Sequence, residues 1–229
     1  MNTEKLSAWR KATRERLIAA RLALDPATRV ALRQSIDRHL ARAFPGLAGA
    51  RLGFCWPIRN EYDARHLARR LRAQGAVTAL PVVVARDAPL VFRFWRPGVT
   101  LRRGALDIPF PVDSPAMVPQ AVLLPVNGWD AGGYRLGYGG GYFDRTLAAL
   151  APRPLVIGVG YESARIETIH PQPWDVPLDY LVTERGVYRR DAGHLEFLGA
   201  PPAGTASDRA SPVCYAAEVA PGYFGEDTR

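Results

Sequence analysis

Six of the ten residues from Gly132 to Gly141 are glycine, within GGYRLGYGGGYFDR, between an apolar run and a helical pattern. Glycine lets a backbone approach a ligand closely, and the free amides at a helix start favour a phosphate. With Arg135 and Arg145 adding charge, the loop reads as an anion cradle or, if it holds no ligand, as a mobile turn. Two common phosphate loops are excluded. The dinucleotide fingerprint starting at Gly137 and Gly139 would need glycine where Tyr142 stands, and the P-loop needs a lysine. The chain has only Lys5 and Lys11, both far from this loop, which also removes a Schiff-base lysine from the body of the domain.

Asp144, just inside the helix that follows, can hold magnesium against phosphate oxygens or simply stabilise the helix dipole. Asp175 and Asp179 lie in HPQPWDVPLDY, where three prolines fix an irregular loop; either can be a second magnesium ligand, or both can end turns. Glu61, after the WPIRN turn, can hold a substrate amine or merely precede a helix cap.

These residues need elements to hold them. Leu6, Trp9, Thr13, Leu17, Ala20 and Leu24 predict an amphipathic helix over residues 4 to 24 with a basic opposite face. Asp25-Pro26 caps a second helix carrying Val30, Leu32, Ile36, Leu40 and Phe44, which Pro45-Gly46 ends. Leu52 to Trp56 reads as a buried strand, followed by a helix capped by Asp63 and ending at Gly75. Val77 to Val84 and Leu90 to Trp95 are further strands, with Pro81 placing the first at an edge or a bulge. Ala121 to Val126, the glycine loop, a helix over Tyr142 to Leu150 and Leu155 to Val159 form a strand-loop-helix-strand unit. Asp179 to Thr183 adds a strand and Gly186 to Leu198 a terminal hairpin. The expectation is one α/β domain over residues 1–198, with a Pro/Ala/Gly-rich linker and tail over 199–229.

The 229 residues, 48% hydrophobic and 23% charged, exclude a wholly disordered or fibrous chain. Residues 1 to 72 carry 16 Lys and Arg against 6 Asp and Glu, and the rest of the chain 14 against 16, so all excess positive charge is N-terminal. That suits a polyanionic partner or a solvated helix face. Cys55 and Cys214 are too few for a disulfide framework and read as free thiols, and His39, His66, His170 and His194 are too scattered for a transition-metal site. No apolar run is long enough to cross a membrane, and the charged N-terminus lacks a signal-peptide pattern, so a cytoplasmic protein is expected.

RLGYGGGYFDR, preceded by LLPVNGWDAGGY and followed by PQPWDVPLDYLVTE, resembles the 5-formyltetrahydrofolate cyclo-ligase family. The likeness runs from about Arg10 to Glu184 and takes in the WPIRNEYD turn and the LRRGALDIPFPV segment. It implies a three-layer α/β/α fold with a mostly parallel sheet, and magnesium- and ATP-dependent closure of 5-formyltetrahydrofolate to 5,10-methenyltetrahydrofolate through a phosphorylated formyl group. It places ATP on Arg10, Arg14 and the run Arg135, Leu136, Gly137, Tyr138, Gly139, Gly140, Gly141, Tyr142 and Phe143. The folate falls on Trp56, Glu61 and the shared stretch Tyr138 to Tyr142, with Trp56 against the pterin ring. Magnesium falls on Asp144 and Asp175, and the catalytic weight on Arg135, Tyr142 and Asp144.

The pattern departs from the family in three places. Gly140 stands where some members carry a basic residue, which leaves phosphate charge to Arg135, Arg10 and Arg14. Trp174 stands where many have histidine, and Asn127-Gly128-Trp129 fills the turn after the strand. The implied partners are small molecules, with no nucleic acid and no membrane; the sequence leaves the oligomeric state open and favours a monomer. Two rivals remain: a nucleic-acid binder built on the basic N-terminal third, and an α/β transferase or isomerase that binds an anion without using ATP.

Overall fold

Alternation along the buried strands sets the layers. Val122 and Leu124 turn toward one apolar cluster, while Ala121 and Leu123 turn toward another, and Val156 and Ile157 divide the same way. A strand apolar on both faces needs cover on both. A computed structural model, which describes residues 2–104 and 107–200, shows that cover. Helices α2 (Pro26–Ala43) and α3 (Ala64–Ala73) bring Ile36, Leu40, Leu67 and Leu71 to one face, and α4 (Tyr142–Ala149) brings Leu147 to the other. The three-layer α/β/α arrangement is therefore present.

The strands in chain order are β1 (Arg51–Phe54), β2 (Val77–Val82), β3 (Val91–Phe94), β4 (Leu101–Arg103), β5 (Pro109–Pro111), β6 (Ala121–Pro125), β7 (Gly128–Trp129), β8 (Arg135–Leu136), β9 (Leu155–Val159), β10 (Tyr180–Thr183), β11 (Gly186–Asp191) and β12 (His194–Gly199). Eight of them form one sheet in the order β12-β11-β10-β9-β6-β1-β2-β3. The five central strands, β10 to β2 in that order, are parallel, with Leu52 opposite both Thr78 and Ala121, and Leu123 opposite Ile157. β3, β11 and β12 run antiparallel at the two ends. From β1 the chain moves out to β2 on one side and later returns to β6 on the other. The carboxyl ends of β1 and β6 therefore flank a topological switch point, where open α/β sheets bind ligands.

The caps lie where the sequence puts them. Asp25 Oδ1 accepts from Thr28 N at 2.9 Å with Pro26 in the first turn of α2, and Asp63 Oδ1 accepts from Arg65 N at 3.0 Å to open α3. The expected hairpin forms from β11 and β12, reaches Gly199, and extends the main sheet through β10. The remainder of the expected tail from residue 201, with Cys214, lies outside the described residues.

Two expectations need correction. Pro81 lies in the penultimate strand, not at an edge: β2 pairs with β3 at Pro81↔Phe92. The β1 ladder ends at Gly53↔Ala79, so the missing amide of Pro81 faces space beyond it and costs no ladder bond. Pro81 there lines a cavity instead. The second correction concerns α1 (Thr3–Leu22), whose basic residues do not all face solvent. Arg21 is 7% exposed, and Arg10 and Arg14 are partly buried, whereas Ala20 of the expected apolar stripe is exposed. Leu17 and Ile18 pack inward beside Arg21, so the inner side of α1 is mixed and abuts a polar site as well as core. No helix among the described residues is long and apolar enough to cross a membrane.

Candidate active site

At the switch point lies a cavity of about 570 Å³. Its wall includes Cys55 and Trp56 beyond β1, Pro81 and Val83 at the end of β2, and Pro125 at the end of β6. The glycine loop, residues 136 to 141, crosses one side of it and leads into α4. Every residue the resemblance selects lines this one space: Arg10, Arg14, Trp56, Glu61, Arg135 to Phe143, Asp144 and Asp175.

The ribbon β7–β8 aims the loop, with Gly128 opposite Leu136 and Trp129 opposite Arg135. Its turn is tied by Asp130, which is 4% exposed. Asp130 Oδ1 accepts from Gly132 N at 3.0 Å and Tyr134 N at 3.1 Å, and Oδ2 accepts from Ile169 N at 2.9 Å. One carboxylate thus fixes both the ribbon and the root of the loop carrying Asp175. Replacing Asp130 by asparagine turns a donor toward a donor amide, because an amide side chain offers one acceptor oxygen where the carboxylate offers two. The Asp130→Asn protein is expected to be destabilised by about 2–4 kcal/mol, read as a lower urea midpoint at unchanged slope. A midpoint equal to that of the parent protein would show that Asp130 does not hold the turn.

Helix α1 rests directly on this ribbon. A Cβ on Gly128 would lie 2.7 Å from Leu17 Cδ1, so a side chain there would make the buried Leu17 shift. Arg10 and Arg14 of α1 then reach the cavity. Arg10 Nη2 donates to Asp175 Oδ2 at 2.6 Å, and its Nε and Nη2 donate to the carbonyls of Ile169 and His170 at 3.1 and 2.9 Å. Arg14 Nε donates to Gly137 O at 2.6 Å, and its guanidinium lies where a Cβ on Gly139 would be, 3.0 Å from Nη2. Gly139 has φ +93°, a conformation that side chains other than hydrogen rarely take, so the loop can curl around this guanidinium. Burial and the neighbouring Arg10 lower the pKa of Arg14, yet a guanidinium stays charged at any physiological pH.

Asp144 and Asp175 come to the same wall through Arg135, itself only 9% exposed. Asp144 Oδ1 accepts from Arg135 Nη2 at 3.0 Å and from Val176 N at 3.0 Å. The other nitrogen of Arg135 donates to Val176 O. Burial lowers the pKa of Arg135 while Asp144 and Asp175 raise it, which is the balance a buried cation needs. Asp144 Oδ2 has no hydrogen-bond partner among the described residues, so one oxygen of that carboxylate is open to the cavity. Asp179 is elsewhere: it accepts from Arg153 at 2.8 Å and from Val156 N at 2.8 Å, and serves the strand, not the site. Of the two acids the sequence left open, the structure brings only Asp175 to the cavity.

On the opposite wall, Glu61 is 8% exposed. Its Oε2 accepts from Ile58 N at 3.0 Å and its Oε1 from the Tyr138 hydroxyl at 2.7 Å. Burial pushes its pKa up from the usual carboxylate value, against the pull of Tyr138, Ile58 N and Arg21. The α3 cap is Asp63, so Glu61 is not spent on the helix. Trp56 is half-buried beside it, edge-on to Trp95 at 5.7 Å, with the Arg65 guanidinium 4.8 Å over its ring. Cys55 is also in the wall, where burial pushes its thiol pKa well up and leaves it a poor nucleophile. Arg145, by contrast, bonds Gly140 O from outside and pairs with Asp87 at 3.6 Å. Trp174 is 65% exposed at the rim.

The match to known proteins decides the family. The family model described as 5-formyltetrahydrofolate cyclo-ligase matches residues 6–184. The chain belongs to the 5-formyltetrahydrofolate cyclo-ligase family. It is similar to the 5-formyltetrahydrofolate cyclo-ligase of Haemophilus influenzae, 26% identical over 194 residues, covering 80% of this chain and 100% of that one. It is also 32% identical over 141 residues to the enzyme of the same name from Mycolicibacterium smegmatis, covering 57% of this chain and 72% of the relative. Among solved structures, Aquifex aeolicus 5,10-methenyltetrahydrofolate synthetase superposes with TM-score 0.68 at 28% identity, over 82% of this chain and 97% of that one. The chain is therefore an enzyme of the ligase class, built on the fold of the methenyltetrahydrofolate synthetases.

Sequence reasoning missed Arg21, Asn127 and Asp130, all buried polar residues behind the site. A signal for Arg21 existed: Arg10, Arg14 and Arg21 recur four and seven residues apart, on one face of a helix.

Proposed function

We propose that this protein converts 5-formyltetrahydrofolate and ATP to 5,10-methenyltetrahydrofolate, ADP and phosphate, with magnesium, through a phosphorylated formyl group. The observation that carries this reading is the meeting, in one cavity, of a glycine loop that opens a helix, three arginines and two acids on one wall with Glu61 and Trp56 on the other. The first wall suits a triphosphate and the second a flat ring with hydrogen-bond donors. Small molecules are its proposed partners, and the cytoplasm its proposed setting.

In the proposed reaction the formyl oxygen attacks the γ-phosphorus and ADP leaves. The neighbouring folate nitrogen then attacks the activated carbon and loses its proton, and the former formyl oxygen departs with phosphate. Such a transfer needs alignment and charge neutralisation more than a protein nucleophile. Arg14 and Arg135 supply fixed positive charge beside the loop, and the first-turn amides of α4 supply donors. Glu61 and Trp56 orient the folate so that its formyl oxygen faces the phosphate wall.

The donor set suits magnesium. Two carboxylates, Asp144 and Asp175, face one cavity, and magnesium takes few protein ligands, completing its shell with water and phosphate. Among the described residues no cluster of three His, Cys, Asp or Glu side chains could hold a metal, so the pair is the candidate. Bound there, the ion would neutralise charge on the transferring phosphate. Arg10 pairs with Asp175, and a bound phosphate would offer that guanidinium an alternative partner if Asp175 were to hold the metal.

The test is absorbance at the methenyl-folate band after mixing protein, 5-formyltetrahydrofolate, magnesium and ATP, with ATP and magnesium each omitted in turn. Growth of the band only in the complete mixture is expected. Growth without ATP, or none at all from protein that is folded and binds ATP, would overturn the reading.

A further inference from the structure

Arg21 stands one layer behind the cavity wall and takes no part in the proposed phosphoryl transfer. Its side chain is 7% exposed, and that of Glu61 3%. Its Nε donates to Arg59 O at 2.8 Å, Nη1 to Asn127 Oδ1 at 2.9 Å, and Nη2 to the Tyr138 hydroxyl at 3.2 Å. The same Nη2 lies 3.9 Å from Glu61 Oε1. Arg21 therefore joins four separate pieces of the site: α1, the turn before α3, the end of β6 and the glycine loop.

A guanidinium can only donate. The Tyr138 oxygen must therefore accept from Arg21, which commits its own proton to Glu61 Oε1. The hydroxyl has no freedom to reverse, and the glycine loop is registered against Glu61 by that one oriented bond. The turn carrying Arg59 adds strain that Arg21 helps to hold: Arg59 and Asn60 have φ of +50° and +58°, uncommon for residues with side chains. The Arg59 carbonyl is fixed by Arg21, and the Asn60 carbonyl by the Tyr161 hydroxyl at 3.2 Å.

We propose that Arg21 is a positioning residue for folate binding, holding Glu61 ionised and aimed into the cavity and setting the glycine loop against it through Tyr138. The proposal rests on the cyclo-ligase reading of the cavity. Glu61 is faced by Arg21 from α1, Arg59 from its own turn, Tyr138 from the glycine loop, Cys55 from the end of β1 and Tyr161 beyond β9. Burial raises the pKa of Cys55, Tyr138 and Tyr161, so these three stay neutral through the working range. Arg59 is exposed and lies over the Tyr138 ring at 5.5 Å, where water screens it. Arg21 is the buried cation of the set. Without it, desolvation drives Glu61 toward the carboxylic acid, which presents a donor where the substrate needs an acceptor.

The test compares the parent protein with Arg21→Lys and Arg21→Met, following methenyl-folate formation between about pH 5.5 and 9 at saturating ATP and magnesium. The acid limb of kcat/KM for the folate is expected to move up by about one pH unit in Arg21→Met and less in Arg21→Lys, so the loss grows toward about tenfold on the acid side of the limb and vanishes on the alkaline side. The KM for ATP is expected to stay within about twofold. In the Glu61→Gln background, where no carboxyl remains to titrate, adding Arg21→Lys should move no limb. Arg21→Lys retains a buried cation and keeps the comparison available should Arg21→Met fail to fold. A limb that stays in place, or folate and ATP parameters that fall together equally at every pH, would overturn the role of Arg21. A parent protein that forms no methenyl band would instead overturn the functional reading beneath it.

Discussion

The Asp144→Asn protein is expected to fold, to bind folate, and to lose about 100- to 1,000-fold in ATP-dependent turnover. The choice of asparagine follows from what Asp144 does structurally. Its Oδ1 holds Arg135 and Val176 N, both at 3.0 Å, and Arg135 is buried. Alanine would strand that guanidinium without a partner at a cost of about 3–5 kcal/mol, so lost activity could reflect lost fold. Asparagine keeps the Oδ1 acceptor and removes the charge and the free carboxylate oxygen. If Asp144 holds magnesium against the transferring phosphate, the charge is what matters, and removing one such group costs a few kcal/mol of barrier. The magnesium concentration for half-maximal rate should rise as well. Turnover within about threefold of the parent, with an unchanged magnesium requirement, would leave Asp144 as a helix-dipole and arginine partner only.

What the sequence disclosed and what it hid have one physical cause. The unit from Ala121 through the glycine loop and α4 to Leu155–Val159 was legible because each part carries a local signal: apolar runs of strand length, clustered glycine, a 3.6-residue period. Asp25 and Asp63 were legible as caps for the same reason, since capping is decided within three residues. Arg21 escaped because hydrophobic periodicity assigns a charged residue to solvent and cannot know that the inward side of α1 meets a polar cavity; only its helical spacing from Arg10 and Arg14 marked it. Pro81 misled in a related way. A strand can lose a ladder partner along part of its length without being an edge, when its neighbour is shorter, as β1 is beside β2. Asp175 and Asp179 could not be separated by composition. They lie on opposite sides of the Val176 junction, where the chain is clamped by Arg135 and Asp144, and only the three-dimensional path sends one acid to the cavity and the other to β9.

Glu61→Gln is expected to separate folate recognition from ATP binding more sharply than any other single change. In the proposed complex the pterin ring presents an amino group and a ring N–H side by side, and a carboxylate offers two acceptors in matching positions. Glutamine offers one acceptor and one donor, so one charge-assisted bond is lost and a donor faces a donor. Such bonds are worth about 1.5–3 kcal/mol, so kcat/KM for the folate should fall by about 10- to 100-fold, with the KM for ATP unchanged. The pH profile carries the second signature. Burial raises the Glu61 pKa above its usual 4.5, and only the ionised form accepts both donors, so the parent protein loses folate affinity as pH falls through that raised value. The glutamine protein has nothing there to titrate, and its acid limb should flatten. Stability should move the other way. A carboxyl whose pKa is higher in the folded chain than in the unfolded one weakens the fold as pH rises from the unfolded value to the folded one. The stability of Glu61→Gln relative to the parent should therefore be highest near pH 7 and decline below the raised pKa. Melting temperatures at pH 7 and pH 5 read this directly. A relative stability independent of pH would mean that Glu61 titrates as it does in water, and that the wall it stands in is open to solvent.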